Sequence, residues 1–538
     1  MAENITENLS PGHGNPTTDD NKPAHATAHV ERVLSPTDLK EGVDAARVDE
    51  EIQAYAARGR VEVDEATSRR LRRMIDRRVL VVMILTYFLQ ALDKGTMSFA
   101  SIMGIREDAG LVGQQYSWLT TCIYIAVLVV EYPTNWIIQR VRIAKYLGIN
   151  IVLWGMTLAL HAACKNFAGL VTVRTLLGIF EAACQPSFVL LSSMWYKREE
   201  QAATVTYWYM MNGGQQIVGG LLAYCFSLIG RHGPTALKSW QALFLTYGCI
   251  SILWGFFVLW WMPDSPMKAK CFDEEDKHRM VERVRANQTG LQNKTFRADQ
   301  MWEAFQDPQM YCYCAIQVFT TLPTSGLGAF ANIIITGFDF TELQTQLLAM
   351  VLGFYIIFVL LTSAYLVKRF QQNTLVMLGF IVPSFIGTIV LMTVQSHSLG
   401  TKVGLLISYY ITLSFWSAQN LCLSMVTRNI AGATKKSTVV AATFVSWAVG
   451  NAIGPQVFLT RDAPRYFIAF GVHLGCYSAM TLAVIYLRFY LIAQNRKKER
   501  LLRENGVRLD GSAEGEDHLA RAFEDRTDRE NLHFRYIY

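Results

Sequence analysis

The sequence predicts an all-α, polytopic membrane protein with twelve transmembrane helices in two six-helix bundles. Its composition is the first indication, because 51% of the 538 residues are hydrophobic and only 17% are charged, which is unusual for soluble domains. The apolar residues are also grouped in blocks of about 20, the length of a helix that crosses a bilayer. Finally, Lys and Arg concentrate in alternate loops, as they do on the cytoplasmic side of membrane proteins.

Six apolar blocks precede a long polar segment and six follow it. Spans 1 to 6 are predicted at residues 79–100, 114–137, 146–165, 168–192, 202–229 and 240–261. Spans 7 to 12 are predicted at residues 309–336, 343–367, 373–394, 402–425, 437–459 and 465–491. The polar segment contains "DEEDKHRMVERVRAN", whose apolar spacing and opposite charges predict a short helix on the cytoplasmic face.

These patterns divide the chain into five parts. We expect a disordered cytoplasmic N-terminal tail at 1–66, because this stretch is polar and contains many Pro, Gly, Thr and Asp residues. The N-terminal bundle follows at 67–262, a cytoplasmic linker with a short helix at 263–308, and the C-terminal bundle at 309–492. Residues 493–538 form a cytoplasmic C-terminal tail that is alternately basic and acidic, and we expect it to be mobile.

The basic residues predict that both termini are cytoplasmic. An arginine-rich stretch precedes span 1, and the loops after spans 2, 4, 8 and 10 are basic, whereas the outer loops carry only scattered cations. The net charge of +6 therefore reflects membrane topology, and no nucleic-acid partner is expected. The sequence has no P-loop, GxSxG, HExxH or Cys/His cluster with zinc spacing, so we expect no enzymatic activity, no cofactor and no metal site.

Ionisable residues inside the predicted spans are concentrated in the first bundle. A charged side chain at the centre of a membrane helix costs about 2.5–3.5 kcal/mol, so such residues favour a function. The first bundle contains Asp93, Lys94, Glu131, Arg174 and Glu181, and the second contains mainly His473. The alternative is a static network of ion pairs that holds the helices in register.

Helix geometry indicates how the charged residues divide their roles. Asp93 and Lys94 point about 100° apart and cannot satisfy each other, so Arg174 is the expected partner of Asp93. Glu181 lies two turns after Arg174 on the same face, where desolvation and a nearby cation act on its proton in opposite directions. We therefore predict that Asp93 and Glu181 are proton-coupling residues. Lys94 and Arg174 are predicted to bind an anionic substrate.

Two further ionisable residues have other predicted roles. Glu131 lies late in span 2, before "YPTNW", and is a candidate gate, with helix packing as the alternative. His473 on span 12 is predicted to be a packing residue.

Neutral polar residues predict the other wall of a binding cavity. Trp416 and Asn420 are i, i+4 neighbours on span 10, and Asn451 stands in the same relation to Trp447 on span 11. Gln215 lies in the glycine-rich "MNGGQQIVGG" of span 5. We predict substrate contacts from Gln215, Trp416, Asn420 and Asn451, with helix packing as the alternative. The stretch "LPTSGLGAF" at 322–330 is expected to break span 7 and allow it to bend.

Several longer stretches resemble a known family. They are "YFLQALDK" on span 1, "EYPTNWIIQRVRIAKYLGINIVLWG" across spans 2 and 3, "RTLLGIFEAACQPSF" on span 4 and "NAIGPQVFLTRDAPRY" after span 11. With the two-bundle layout, they resemble the anion:cation symporter family of the major facilitator superfamily, in its fungal allantoate permease-like branch. The resemblance covers nearly all of 70–495 and implies the major facilitator fold, whose halves pack around a midplane site.

The resemblance also implies a function. Members of the family mostly carry out proton-coupled uptake of small organic anions, such as carboxylates, vitamins and ureides, across the plasma membrane. In related carriers, the acidic and basic pair of span 1 and the Arg and Glu of span 4 serve coupling and anion binding. Those positions are Asp93, Lys94, Arg174 and Glu181 here.

We therefore expect a monomeric, multi-pass plasma-membrane symporter whose partners are a small organic anion, protons and the lipid bilayer. One alternative is an exporter of a drug or secondary metabolite that works by proton antiport. A second alternative is a nutrient sensor that binds its ligand without transporting it.

Overall fold

The structure is a computed structural model in which residues 63–538 are described, apart from 139, 198–199, 201–203, 205–206, 232–236, 267–268, 270, 290–296 and 505–526. Regular structure in the described residues is entirely helical. Most of the tail predicted at 1–66 lies outside the described residues. Its predicted end is slightly too late, because an amphipathic helix already begins at Glu65, where the Asp64 side chain caps the first turn.

Helices lie at all six predicted spans of the N-terminal half. The amphipathic helix Glu65–Ile75 and a π-helical turn, Asp76–Leu80, lead into span 1. Spans 1 to 6 are Val81–Ile102, Gln115–Ile138, Ile143–Leu160, Phe167–Glu181 continued by Cys184–Trp195, Met211–Arg231 and Ser239–Trp261. Span 4 is therefore interrupted directly after Glu181.

Helices also lie at all six predicted spans of the C-terminal half. Spans 7 to 12 are Pro308–Thr336, Glu342–Phe370, Asn373–Thr393, Leu399–Thr412 continued by Trp416–Asn429, Ala433–Ile453 and Phe467–Glu504. The prediction of a break in span 7 is wrong, since the helix continues through Pro323. Loss of one backbone donor at a proline is tolerated where neighbouring helices pack around it. Span 10 is interrupted instead, by a 3-10 turn at Leu413–Phe415.

Nine helices in the described residues are long and apolar enough to cross a membrane. They correspond to spans 2, 3, 4, 6, 7, 8, 9, 11 and 12. The helices at spans 1, 5 and 10 fall outside this group. Span 1 contains charged residues, span 5 contains glycine and glutamine residues, and span 10 is interrupted. Crossing by these three helices stays a prediction of the twelve-span plan.

The two halves are joined toward one side of the molecule. We call the ends that the sequence predicts to be cytoplasmic the inner ends, and the opposite ends the outer ends. At the outer ends, the Tyr116 hydroxyl donates to the Ala329 carbonyl at 2.8 Å, and the Thr121 hydroxyl donates to the Ala452 carbonyl at 2.8 Å. Spans 5 and 8 also approach closely, because a Cβ at Gly220 would lie only 2.5 Å from a carbonyl oxygen of span 8.

The linker at 263–308 is attached to both halves by separate helices. Its first helix, Glu274–Thr289, belongs with the N-terminal half, where Arg70 pairs with Asp276 at 2.6 Å. Its second helix, Ala298–Phe305, belongs with the C-terminal half, where Lys435 pairs with Glu303 at 2.9 Å. Each half therefore carries its own part of the linker.

The C-terminal tail differs from the expectation of a mobile segment. The helix of span 12 continues to Glu504, beyond the predicted end of the bundle. Residues 527–538 then pack against the C-terminal half, with Asp528 fully buried and Tyr536 4% exposed. Low local apolar content misled the prediction, because buried ion pairs and aromatic side chains hold this segment rather than a run of aliphatic residues.

Candidate functional site

We call Asp93, Lys94, Arg174 and Glu181 the charged layer. An ion pair between Lys94 and Glu181 is at its centre. The Lys94 Nζ lies 2.8 Å from the Glu181 Oε1. The Glu181 side chain is 2% exposed, whereas that of Lys94 is 38% exposed. The pair therefore lies at the edge of a solvent-accessible space. Lys94, which the sequence predicts to bind an anionic substrate, is thus paired with a carboxylate at the end of the first helical segment of span 4.

Asp93 is fully buried and has a partner that sequence reasoning missed. The Trp154 indole Nε1 on span 3 donates to the Asp93 Oδ2 at 2.8 Å. No ion pair joins Asp93 to Arg174 in the described part of the chain, so the predicted pairing is wrong. The Asp93 Oδ1 has no hydrogen-bond partner among the described residues. This leaves one carboxylate oxygen able to accept a further bond or a proton.

Arg174 is a buried cation with spare donor capacity. It is 1% exposed, and its Nε and Nη2 have no hydrogen-bond partner among the described residues. Its guanidinium carbon lies 5.8 Å from the centre of the Phe244 ring, and the same ring stacks on His161 at 4.8 Å. Aromatic contacts hold the guanidinium in place while its planar donors stay unused. A buried arginine of this kind favours an anion-binding role.

Gln215 closes one side of the charged layer. Its side-chain oxygen lies directly against span 1 at Gly95, where a Cβ would collide with it. Gln215 is 8% exposed, and its Oε1 has no hydrogen-bond partner among the described residues. On the same span, the Asn212 amide donates to the Tyr87 hydroxyl at 3.0 Å. Span 5 therefore places two amides next to the part of span 1 that carries Lys94.

The predicted contacts from the C-terminal half lie in different settings. Asn451 is 4% exposed, and its amide donates to the carbonyl of Trp447 at 2.8 Å within span 11. Trp447 contacts the ring of Tyr124 on span 2 with centroids 5.7 Å apart, which brings the two halves together. The Trp416 indole nitrogen has no hydrogen-bond partner among the described residues. Asn420 is half-buried. Neither Trp416 nor Asn420 touches the charged layer in the described contacts.

Glu131 and His473 lie outside the charged layer. Glu131 is half-buried, and its Oε1 accepts a 3.2 Å bond from Asn135 one turn later on span 2. His473 is fully buried against aromatic rings, with centroids at 5.6 Å for Phe458 and 6.0 Å for Phe470. Among the described residues, no three His, Cys, Asp or Glu side chains are grouped as metal ligands would be.

Two residues of this site were missed by sequence reasoning. Trp154 and His161 lie on or beside span 3 and contact Asp93 and the ring under Arg174. Tryptophan and histidine in an apolar span have no distinctive spacing, so only their position opposite a charged residue could have identified them.

Comparison with known proteins places this arrangement in a family. The model of the Major Facilitator Superfamily matches residues 83–455. The thiamine pathway transporter THI73 of Saccharomyces cerevisiae is 32% identical over 467 residues, covering 87% of this chain and 86% of the relative. The allantoate permease of the same species is 29% identical over 503 residues, covering 91% of this chain and 90% of the relative.

The fold has a solved counterpart. The xylose transporter XylE from E. coli, in an inward open conformation, matches with a TM-score of 0.58 at 12% identity, covering 76% of this chain and 95% of that chain. At this identity the likeness shows the fold alone. The relatives are transporters, so this multi-pass membrane protein is a transporter and not an enzyme. The chain belongs to the Major Facilitator Superfamily, in its fungal allantoate permease-like branch.

Proposed function

We propose that this transporter carries out proton-coupled uptake of a small organic anion by alternating access. The observation that carries the proposal is the ion pair of Lys94 with Glu181, at 2.8 Å, inside a layer of buried charges. In this mechanism Lys94 has two competing partners, which are the Glu181 carboxylate and the carboxylate of the substrate.

Protonation of Glu181 is the coupling step. While Glu181 is ionised, its negative charge attracts the Lys94 ammonium and compensates the positive charge. When Glu181 takes up a proton, that attraction is lost and the ammonium becomes available to an anion. An anion that bound without this proton would leave the buried Glu181 unpaired. Because this pair is buried on one side only, leaving Glu181 unpaired costs about 2–3 kcal/mol, or roughly 30- to 150-fold in affinity. Anion and proton therefore bind together.

Arg174 and Asp93 complete the proposed site. Arg174 offers Nε and Nη2, which can bind a carboxylate in a bidentate manner. Asp93 offers its free Oδ1 for a second proton while Trp154 holds its other oxygen. Gln215 lies within the same layer and is suited to orient an amide or ureide group of the substrate.

The proposed direction is uptake, driven by an inward proton gradient. Because the halves are joined at the outer ends, we expect the charged layer to open to the inner side, and rocking of the halves would expose it to the outer side. The name of the related allantoate permease supports a carboxylate or ureide substrate.

Uptake into proteoliposomes tests the proposal. Purified protein is reconstituted with an imposed inward proton gradient and screened with labelled small carboxylates and ureides, allantoate included. The wild type is expected to concentrate one of them, and Glu181→Gln is expected to lose gradient-driven accumulation while keeping exchange of substrate. Glu107→Gln is the matched control, since Glu107 is exposed at the outer end of the molecule, away from the charged layer. Gradient-driven accumulation by Glu181→Gln would refute the coupling step. Efflux driven by proton entry would instead favour the antiport exporter.

A further inference from the structure

The last described residues of the chain dock on the inner ends of the C-terminal half. We call residues 527–538 the terminal segment. The Asn429 side chain at the end of span 10 forms two 2.8 Å hydrogen bonds with the backbone of Ile537. The Asn495 side chain on span 12 does the same with Tyr536, at 2.9 and 3.0 Å. Two asparagine amides on different helices therefore bind successive residues of the terminal segment.

A buried ion cluster anchors the start of the terminal segment. Lys435, at the beginning of span 11, is fully buried and pairs with Asp528 at 2.7 Å and with Asp307 at 2.8 Å. The Tyr536 hydroxyl donates to the Asp528 Oδ2 at 2.7 Å, and the Gln309 amide donates to the same oxygen at 3.1 Å. Asp528 thus supplies part of the counter-charge of a buried lysine that spans 7 and 11 share.

Lys498 provides a second anchor that recognises the shape of the segment. Its ammonium donates to the backbone carbonyls of Asp528, Asn531 and Phe534. It lies 4.5 Å from the centre of the Tyr536 ring and 5.2 Å from that of Phe534. Carbonyls and aromatic faces together surround one cation, and Lys498 is 4% exposed. The three carbonyls come from residues three apart in the terminal segment, so Lys498 contacts the folded shape of its backbone.

The attachment joins the inner ends of spans 7, 10, 11 and 12. Asn429 ends the inner piece of span 10, which the turn at Leu413–Phe415 separates from the outer piece. Asp307 begins span 7, and Lys435 begins span 11. The terminal segment ties these inner ends to span 12 in a conformation whose halves are joined at the outer ends.

We propose that the terminal segment is an intramolecular latch that stabilises this conformation, and that its undocking shifts the transporter toward the opposite, outer-open conformation. This inference concerns regulation of the conformational cycle. It does not depend on proton coupling or on the identity of the substrate, so the failure of one proposal leaves the other testable.

Two measurements on the full-length protein in detergent test the latch. Hydrogen exchange of the terminal peptide reports docking, because the Tyr536 and Ile537 amides are bonded to the asparagines. Ala452→Cys reports opening of the outer ends, because position 452 lies at the contact between the halves. The substitution keeps the backbone carbonyl that accepts the hydrogen bond from Thr121. Peptide mass spectrometry distinguishes the new cysteine from the native cysteines. Its rate of labelling with a maleimide measures the open population.

The variants Lys498→Gln and Asp528→Asn remove the two anchors independently. Loss of charge-assisted hydrogen bonds is expected to raise both exchange and labelling by about tenfold. Lys497→Gln is the matched control, because Lys497 is exposed and has no bonded partner among the described residues. It should leave both rates unchanged. Because the two variants affect different anchors, the proposal can still be tested with one of them if the other fails to fold.

The outcomes separate a latch from a simple anchor. Faster exchange with faster labelling supports the proposal. Faster exchange with unchanged labelling overturns it, because the segment would then be held without affecting the conformational equilibrium. Unchanged exchange in both variants also overturns it, since the two anchors would not hold the segment.

Discussion

Removing Lys94 is expected to destabilise the protein more than removing the charge of Glu181. The two residues form one ion pair, yet their surroundings differ. Glu181 is 2% exposed and Lys94 is 38% exposed. Lys94→Met leaves a buried carboxylate without its cation, whereas Glu181→Gln leaves an ammonium that water can reach. Comparing the stability of the two variants therefore tests whether Lys94 compensates the buried charge of Glu181, without a transport measurement.

The structure sets the expected magnitudes. Loss of one partner costs about 3–5 kcal/mol for a fully buried pair and about 0.2–1 kcal/mol for an exposed pair. Because this pair is buried on one side only, we expect Lys94→Met to cost about 2–3 kcal/mol. We expect Glu181→Gln to cost about 1 kcal/mol or less. The double variant should be less destabilised than the sum of the two by about 1–2 kcal/mol.

Thermal unfolding in detergent, followed by tryptophan fluorescence, measures the difference. Lys94→Met should unfold at a clearly lower temperature than Glu181→Gln, with the double variant between the two. Lys368→Met, at the exposed inner end of span 8, is the control for loss of a membrane-protein lysine. If Lys94→Met is no less stable than this control, the ion pair does not hold Glu181 and the reasoning fails.

Three further predictions follow from single contacts. Arg174→Lys replaces a planar fork by a point charge and should raise the KM for the anion about tenfold or more; an unchanged KM would remove Arg174 from the site. Gly220→Ala places a methyl group 2.5 Å from a span 8 carbonyl and should cost about 1–3 kcal/mol in thermal stability, whereas Gly328→Ala, with open space around it, should cost little. Burial alone would raise the pKa of Asp307, but Lys435 holds that pKa below the ordinary 3.8. The ionised Asp307 therefore stabilises the fold above about pH 4, and this contribution is lost as the pH falls through the lowered pKa. Asp307→Asn should remove this pH dependence from acid unfolding curves.

Helix positions follow from the sequence because apolar blocks of membrane length are a local property. All twelve predicted spans contain helices, since each block must satisfy its own backbone within the helix. Interruptions are harder to predict, because they depend on packing. Pro323 does not interrupt span 7, while Leu413–Phe415, without any proline, interrupts span 10.

The members of the charged layer follow from the sequence, but their partners do not. The divergence of Asp93 and Lys94 is a consequence of helix geometry and is present in the structure. Asp93 is bonded to Trp154 and Lys94 is paired with Glu181 because of the way spans 3 and 4 pack against span 1. Sequence spacing within a helix does not contain that information. Charge attraction alone suggested Arg174, although a neutral indole donor occupies the nearer position.

Docking of the terminal segment could not be predicted because its partners are distant in sequence. Asp528 pairs with Lys435, which also pairs with Asp307, and Lys498 donates to carbonyls that lie 30 or more residues later. A composition-based estimate treats such a stretch as solvated, since it counts the charges and not their partners. Three aromatic side chains in the last five residues, Phe534, Tyr536 and Tyr538, were the local signal for packing.

Two buried charge clusters in the described part of the chain differ in how completely they are satisfied. At the inner ends, Lys435 has three carboxylate partners and Lys498 has three carbonyl partners. In the middle of the bundle, by contrast, Asp93 keeps a free oxygen and Arg174 keeps unpartnered donors among the described residues. A fully paired cluster has no capacity for a ligand and serves to hold segments together. The incompletely paired cluster can accept a proton and an anion without first breaking a satisfied network, which is why we assign transport to the middle cluster and conformational control to the inner one.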